Sequence, residues 1–253
     1  MTGHSLKPVG EWLGESFGQL RGRWVTLSAL YVFGFFALLL AVVMVYGLGF
    51  AFFGFIQGWD NVMRVITDPR KVQYLLEESR GAFTLLNLLA AFVALRVYCW
   101  FLLAAIHASL DASLGVRGAL KKGKGRGYAF LVLFVVQQAV LQVGVMLLIL
   151  PGIILAVWLG FALWAFAREG AGVFQSLGDS ARAVKGHFFG VLGRMLLAGL
   201  VGGAMMIVPL VGWLVGAAWI FLAWSHLYTD LRGLSMPEKR SVRSSPVART
   251  VTA

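Results

Sequence analysis

The chain has 253 residues, of which 59% are apolar and only 13% are charged, about half the charged share that is usual in a soluble domain. The mean hydropathy of +0.81 excludes a soluble core of this size, because so much apolar surface could not be hidden from water. The sequence therefore predicts an all-α polytopic membrane protein, a helix bundle embedded in lipid.

The net charge of +11 would suggest a nucleic-acid partner if the protein were soluble. Here the basic residues stand mainly in short loops between apolar spans, which is the positive-inside pattern of membrane proteins. We therefore expect no nucleic-acid partner. The single cysteine, Cys99, falls inside an apolar span and provides no disulfide or metal framework.

The chain begins with a polar segment, residues 1–23, whose apolar positions recur at helical spacing. These positions are Leu13, Phe17, Leu20 and Trp24. The spacing predicts an amphipathic helix lying in the cytoplasmic membrane interface. A transmembrane domain is predicted to follow over residues 24–229.

Six apolar spans make up this domain, at 24–46 with an apolar continuation to 58, and at 82–110, 128–150, 153–167, 188–208 and 213–228. Pro151-Gly152 and Pro209 are predicted to turn the chain within the last two hairpins. The fourth and sixth spans fall short of the roughly 20 residues expected of a crossing helix. These hairpins either cross fully, which we favour, or dip into the bilayer and return.

The distribution of lysine and arginine predicts the orientation. The external loop, residues 59–81, holds four of them, and most of the others stand in the N-terminal segment, the second and fourth loops and the tail. This asymmetry places both termini in the cytoplasm of a bacterium, with the protein in the inner membrane. Residues 230–253 have no apolar period and are predicted to form a disordered basic tail.

An internal repeat is indicated by two segments that align without gaps, residues 16–24 and residues 180–188. Each contains a serine, a base followed by glycine, and a final aromatic residue. Arg21-Gly22 and Lys185-Gly186 are predicted to be hinges between a surface helix and a crossing helix, with the base at the lipid headgroups. A weaker third copy at Lys124-Gly125 makes a threefold helical-hairpin repeat possible.

In the second surface helix the predicted lipid-facing stripe is Phe174, Leu177, Ala181, Val184 and Phe188. Around this helix the chain carries Pro151-Gly152-Ile153, Phe161-Ala162, Glu169-Gly170, Ser180 and Lys185-Gly186. In these motifs it resembles a broad group of poorly characterised six-span bacterial membrane proteins. The group includes the membrane domain attached to some glycerophosphoryl diester phosphodiesterases. The resemblance implies a membrane module without hydrolase activity.

Arg96 is the residue that is hardest to place in lipid, because it lies midway along the second span. A charge at the bilayer centre costs about 2.5 kcal/mol or more. Gln138 and Gln142 stand on one face of the third span and are the predicted partners of Arg96 in an intramembrane polar cluster. The cluster would serve either as interhelical hydrogen bonding, which we favour slightly, or as a polar path for a solute or ion.

Motifs of enzymes and cofactor sites are not found: the four histidines are scattered, and there is neither a phosphate loop nor a nucleophile elbow. We expect a non-enzymatic protein without cofactor or metal that interacts with the lipid bilayer, with partner membrane proteins or with itself. The alternative hypothesis is a small-solute transporter or channel with a polar site around Arg96. A membrane enzyme ranks third.

Overall fold

The computed structural model describes residues 6–59, 62–63, 67–68, 80–209 and 211–233. These residues form helices joined by turns and short irregular segments, with no strand among them. Six of the helical stretches are long and apolar enough to cross a membrane. The predicted all-α, polytopic architecture is therefore confirmed.

In chain order the helices are α1 (Val9–Gln57), α2 (Arg80–Leu110), α3 (Val116–Lys124), α4 (Gly127–Leu147), α5 (Ile149–Leu159), α6 (Ala162–Glu169), α7 (Val173–Val184), α8 (Phe188–Met205) and α9 (Val211–Leu231). Most of the predicted external loop, 59–81, lies outside the described residues. The predicted tail does so from residue 234 onward.

Helix α1 is continuous over 49 residues, a length of about 73 Å at 1.5 Å per residue. It has no break at Gly22, where a hinge was predicted to follow the surface segment, residues 1–23. The reason is packing: Trp12 is buried, and its indole Nε1 donates to the Ala223 carbonyl of α9 at 3.2 Å. The first turns of α1 therefore belong to the bundle.

Helices α1 and α9 run antiparallel and pair over a defined stretch. The backbone N–H of Lys7 donates to Asp230 at 3.0 Å, and Ser28 Oγ donates to the Leu214 carbonyl at 3.3 Å. This pairing uses nearly the whole of α9 but less than half of α1. Asp230 lies in the last turn of α9, although the disordered tail was predicted to begin at residue 230.

The fourth and sixth spans are each 21 residues long, longer than the sequence predicted. Pro151 does not form the turn but stands in the first turn of α5, where a missing N–H is tolerated. The chain reverses instead at Leu148, and a Cβ on Gly152 would lie only 3.0 Å from the Val145 backbone. The glycine thus permits close approach of α4 and α5.

The fourth span is not one helix. It is interrupted at Gly160 and Phe161, between α5 and α6, and α7 lies against the interruption. In α7 the stripe that was predicted to face lipid departs from the structure in part. Val184 belongs to that stripe but is buried, and the polar Ser176 and Ser180 have no exposed surface. The polar face turns towards protein, since the interrupted backbone needs hydrogen-bonding partners.

Burial is unequal between the two ends of the bundle. Buried side chains concentrate in residues 12–30 of α1, 99–110 of α2, 162–167 of α6 and 216–229 of α9, which we call the packed end. At the opposite, open end the helices expose large apolar side chains, among them Phe36, Leu40, Met44, Phe52, Leu85, Leu88, Met146, Leu148 and Leu150. In water this surface would be unstable, so lipid or another membrane protein must cover it.

Candidate functional site

The structure does not form the predicted polar cluster around Arg96. The Arg96 side chain reaches the start of α4, where a Cβ on Gly127 would lie 2.8 Å from its Nη2. Its Cζ lies 4.5 Å from the centre of the Tyr128 ring, within the range of a cation–π contact. The long side chain carries the charge away from the middle of α2, so Arg96 needs no glutamine partner.

Of the three glutamines in α4, the one that is buried is Gln137. Gln138 and Gln142 are exposed on the outside of the helix. Gln137 is only 5% exposed, and its Nε2 donates to the Leu159 carbonyl at 3.0 Å. Gln138 and Gln142 were predicted as partners of Arg96 from their depth in the span, which does not indicate that Gln137 is the buried one.

Ser180 completes the interruption between α5 and α6. Its Oγ donates to the Trp158 carbonyl at 2.6 Å and accepts from the Phe161 N–H at 3.1 Å. Together Ser180 and Gln137 satisfy backbone groups that a helix break leaves unpaired. Irregular backbone in a membrane helix is tolerated where protein surrounds it. Both residues therefore serve the fold, and Gly160 within an apolar span was the one signal of the break in the sequence.

A buried chain of hydrogen bonds crosses the packed end. Arg23 Nη1 donates to the Ser109 carbonyl at 2.7 Å, and Ser225 Oγ donates to Ser109 Oγ at 2.6 Å. Trp164 Nε1 in turn donates to Ser225 Oγ at 2.8 Å. The chain links α1, α2, α6 and α9, which is a structural role that the sequence pattern did not indicate.

A second polar group ties the end of α6 to the end of α9. The Glu169 carboxylate accepts hydrogen bonds from the Tyr228 hydroxyl at 2.5 Å and from Arg232. Burial acts to lower the pKa of Arg232, but the hydrogen bond with Tyr228 and the charge of Glu169 outweigh it, and the pKa is raised. An arginine guanidinium is always protonated in proteins, so Arg232 and Glu169 form an ion pair.

Arg126 closes the C-terminal end of α6. Its Nη2 donates to the carbonyls of Gly170 at 2.6 Å and Ala171 at 2.8 Å, and its Cζ lies 4.3 Å from the centre of the Phe166 ring. A cation is favourable at the C-terminus of a helix, where carbonyls lack partners. The left-handed conformation of Gly170, with φ of +69°, presents these carbonyls to Arg126.

The two predicted hinges differ in the structure. Arg21 and Gly22 lie within the continuous α1. Lys185 and Gly186 separate α7 from α8, and Gly186 has a φ of +91°, a conformation that glycine adopts without strain. Only the second pair therefore separates two helices.

An apolar groove of about 200 Å³ lies between α1, α2 and α9, beside the packed end. Its lining contains no charged side chain: Leu27, Leu30, Tyr31, Gly34, Phe35, Leu38, Tyr98, Phe101, Leu102, Ala105, Ala217, Ala218 and Phe221. The groove is open on one side, and Tyr31 and Tyr98 are 55% and 46% exposed. Its chemistry suits a hydrocarbon chain rather than a polar solute.

Within the described part of the chain, no three His, Cys, Asp or Glu side chains are grouped to hold a metal ion. Comparisons of the sequence and structure with models of known protein families, with curated proteins and with solved structures find no match.

Proposed function

We propose that this chain is a non-enzymatic integral protein of a bacterial inner membrane that interacts with membrane lipids. The observation that carries the proposal is the apolar groove between α1, α2 and α9, which has no charged lining residue. A lipid acyl chain has the matching apolar chemistry. The exposed apolar surface of the open end supports the same assignment, because it needs an apolar covering.

We further propose that the packed end faces the cytoplasm, with both termini on that side. The support is the positive-inside pattern, since Arg21, Arg126, Arg182 and Lys185 all belong to the packed end or the segments joined to it. Basic residues are retained on the cytoplasmic side during insertion. Nucleic acid is not among the proposed partners.

Association with a partner membrane protein or a second copy is the other part of the proposal. Gly199 and Gly203 are four residues apart on α8, and a Cβ on either would meet no atom within 4 Å. Gly202, by contrast, packs against Ile220 of α9. A surface of small residues permits close approach of another helix.

The groove is tested by filling it. Leu38 lines the groove, whereas Leu40 is 62% exposed outside it. We expect Leu38→Trp to reduce the phospholipid that remains bound after purification in a mild detergent, counted by native mass spectrometry. The control, Leu40→Trp, adds the same bulk elsewhere and should retain as much lipid as the wild type. Equal retention by all three proteins would refute lipid binding in the groove.

The transporter hypothesis calls for a different measurement. It needs a polar path near Arg96, and that side chain instead lies against Gly127 and Tyr128. We expect proteoliposomes containing the protein to show no faster release of small polar solutes than empty vesicles. If the proteoliposomes did release such solutes faster, and if Arg96→Leu abolished this release, the transporter hypothesis would be favoured over the lipid-binding protein.

A further inference from the structure

Two glutamines lie on the outer surface of α4, a helix that is long and apolar enough to cross a membrane. Gln138 is near the middle of its 21 residues, and Gln142 follows about one turn later. Both side chains are exposed. The adjacent Gln137, by contrast, is buried and donates to the Leu159 carbonyl. The role of Gln137 in the fold therefore does not account for the two exposed amides.

Neither exposed amide is satisfied within its own chain. Among the described residues, no hydrogen bond joins the side chain of Gln138 or Gln142 to another group. A glutamine amide offers two N–H donors and a carbonyl acceptor, and hydrocarbon can pair with none of them. Lipid is thus an unfavourable neighbour for this part of α4.

The exposed glutamines belong to a regular row along α4. The row consists of Leu131, Val135, Gln138, Gln142 and Val145, which we call the glutamine face. Its members follow one another at steps of four, three, four and three residues, the a and d spacing of a coiled coil. Val135 and Val145 are 44% and 54% exposed, and Leu131 is partly exposed. A row of this kind packs against one other helix along its length.

The remaining side of α4 is already occupied. Phe130, Leu133 and Gln137 are buried, and α4 meets α2, α5, α6 and α7 within the bundle. Because the glutamines and valines of the glutamine face are exposed, no described helix of the same chain covers them. A helix that covers them must come from another molecule.

A second copy of this chain is the partner whose chemistry fits. Each amide is both donor and acceptor, so it is complementary to an identical amide. Two copies inserted in the same orientation are related by a two-fold axis along the membrane normal, which makes their α4 helices parallel. In a parallel pair with a and d spacing, each residue of the row meets its own equivalent. An unrelated helix would fit only if it carried polar groups at the same two depths.

We propose that the chain forms a symmetric dimer through the glutamine face, in which Gln138 and Gln142 hydrogen-bond to the same residues of the second copy. The dimer rests on the proposed function, because that function places α4 in lipid and includes self-association. It uses a different surface from Gly199 and Gly203 of α8. It also gives a role to the two glutamines that Arg96 does not contact.

Cysteine cross-linking in native membranes tests the arrangement, in a Cys99→Ala background. Val135→Cys lies in the glutamine face, and we expect oxidation with copper phenanthroline to produce a disulfide-linked dimer. Val132→Cys is the matched control, because Val132 is 48% exposed on the same helix but stands outside the row. This variant should remain monomeric under the same oxidation.

Replacement of both glutamines tests the amides themselves. The double variant Gln138→Leu with Gln142→Leu keeps an apolar side chain at each position but removes the donors and acceptors. We expect its dimer dissociation constant in lipid vesicles to rise about tenfold, a difference of about 1.4 kcal/mol, as measured by energy transfer between labelled copies. Because the amides bond to nothing within the described chain, the variant should melt like the wild type when both are monomeric in dilute detergent.

Equal cross-linking of Val135→Cys and Val132→Cys, or an unchanged dissociation constant in the double glutamine variant, would overturn the proposal. So would a cross-link from Val135→Cys to a different protein. Gly199→Leu adds bulk where a Cβ meets nothing within 4 Å, and it should leave the dimer intact. Its failure to dimerise, with an intact dimer in the double glutamine variant, would move the interface to α8. Leu38→Trp should dimerise like the wild type, so failure of the lipid groove and failure of the dimer are distinguishable.

Discussion

Individual polar side chains in this molecule lie where backbone groups would otherwise have no hydrogen-bonding partner. Ser180 and Gln137 lie at the interruption of the fourth span, where they bond to the Trp158 and Leu159 carbonyls. The extended side chain of Arg96 reaches the backbone at the start of α4. A sequence shows which residues are polar but not which backbone groups lack a partner.

Replacement of Ser180 tests the first of these roles. Ser180→Ala leaves the Trp158 carbonyl and the Phe161 N–H without their partner, so we expect a loss of about 1–3 kcal/mol in unfolding free energy. Ser176→Ala is the control, because the Ser176 hydroxyl bonds only to the Gly172 carbonyl of its own helix, which the Ser176 N–H also contacts. Denaturation in detergent compares the two, and equal losses would contradict the role of Ser180.

The glutamines of α4 provide a second comparison. We expect Gln137→Leu to destabilise the protein by about 1–2 kcal/mol, because the Leu159 carbonyl loses its donor in a buried site. Gln138→Leu, one residue away on the exposed face, should leave the melting temperature unchanged or raise it. If Gln138→Leu were the more harmful change, the pairing of Arg96 with Gln138 would have to be reconsidered.

At the scale of helices, α1 and α7 depart most from what their sequences suggested. Both carry an apolar stripe that is typical of a surface helix. In α1 the buried contact is Trp12, which is not in the stripe, and in α7 the polar Ser176 and Ser180 face the protein. A stripe alone indicates a helix with two faces, but the neighbour that each face meets depends on the rest of the fold.

Because the first turns of α1 are packed into the bundle, replacing a large buried side chain there with alanine should destabilise the protein. Trp12 is 1% exposed and packs in the core. Trp12→Ala should therefore lower the unfolding free energy by about 3–5 kcal/mol. Trp24 is 43% exposed, and Trp24→Ala should lower it by only about 1 kcal/mol. Thermal melts in detergent distinguish them, and an unaffected Trp12→Ala would mean that the segment is a detached surface helix after all.

The number, order and helical nature of the spans could be predicted from the sequence, because hydropathy over a window of about 20 residues depends on composition alone. The break at Gly160 could not be predicted in the same way. The hydrogen bonds by which Ser180 stabilises it join residues that are 19 or more positions apart in the sequence. The same holds for the buried hydrogen bond from Arg23 to the Ser109 carbonyl. The groove likewise depends on the crossing of three helices.

At the scale of the whole molecule, the uneven burial gives the topology a direct test. We expect single cysteines at Leu148 and Val208, which are 68% and 58% exposed, to react with an impermeant thiol reagent added outside cells. The background is Cys99→Ala. Gly172→Cys, on the proposed cytoplasmic side, should react only after permeabilisation. The reverse pattern would invert the proposed orientation, and labelling of all three only after permeabilisation would indicate hairpins that dip and return.

The partial pairing of α1 with α9 has a consequence for the surrounding bilayer. Since Ser28 is already level with Leu214 near the start of α9, the 29 residues of α1 beyond it, up to Gln57, extend about 44 Å further. A hydrocarbon core of about 30 Å cannot be centred on both helices at once. The protein should thus impose a gradient of membrane thickness across its own width. We expect reconstitution into lipids of increasing acyl length to change the tilt of α1 more than the tilt of α9, as measured by oriented spectroscopy. Equal changes in tilt would contradict a thickness gradient that is caused by the offset between the two helices.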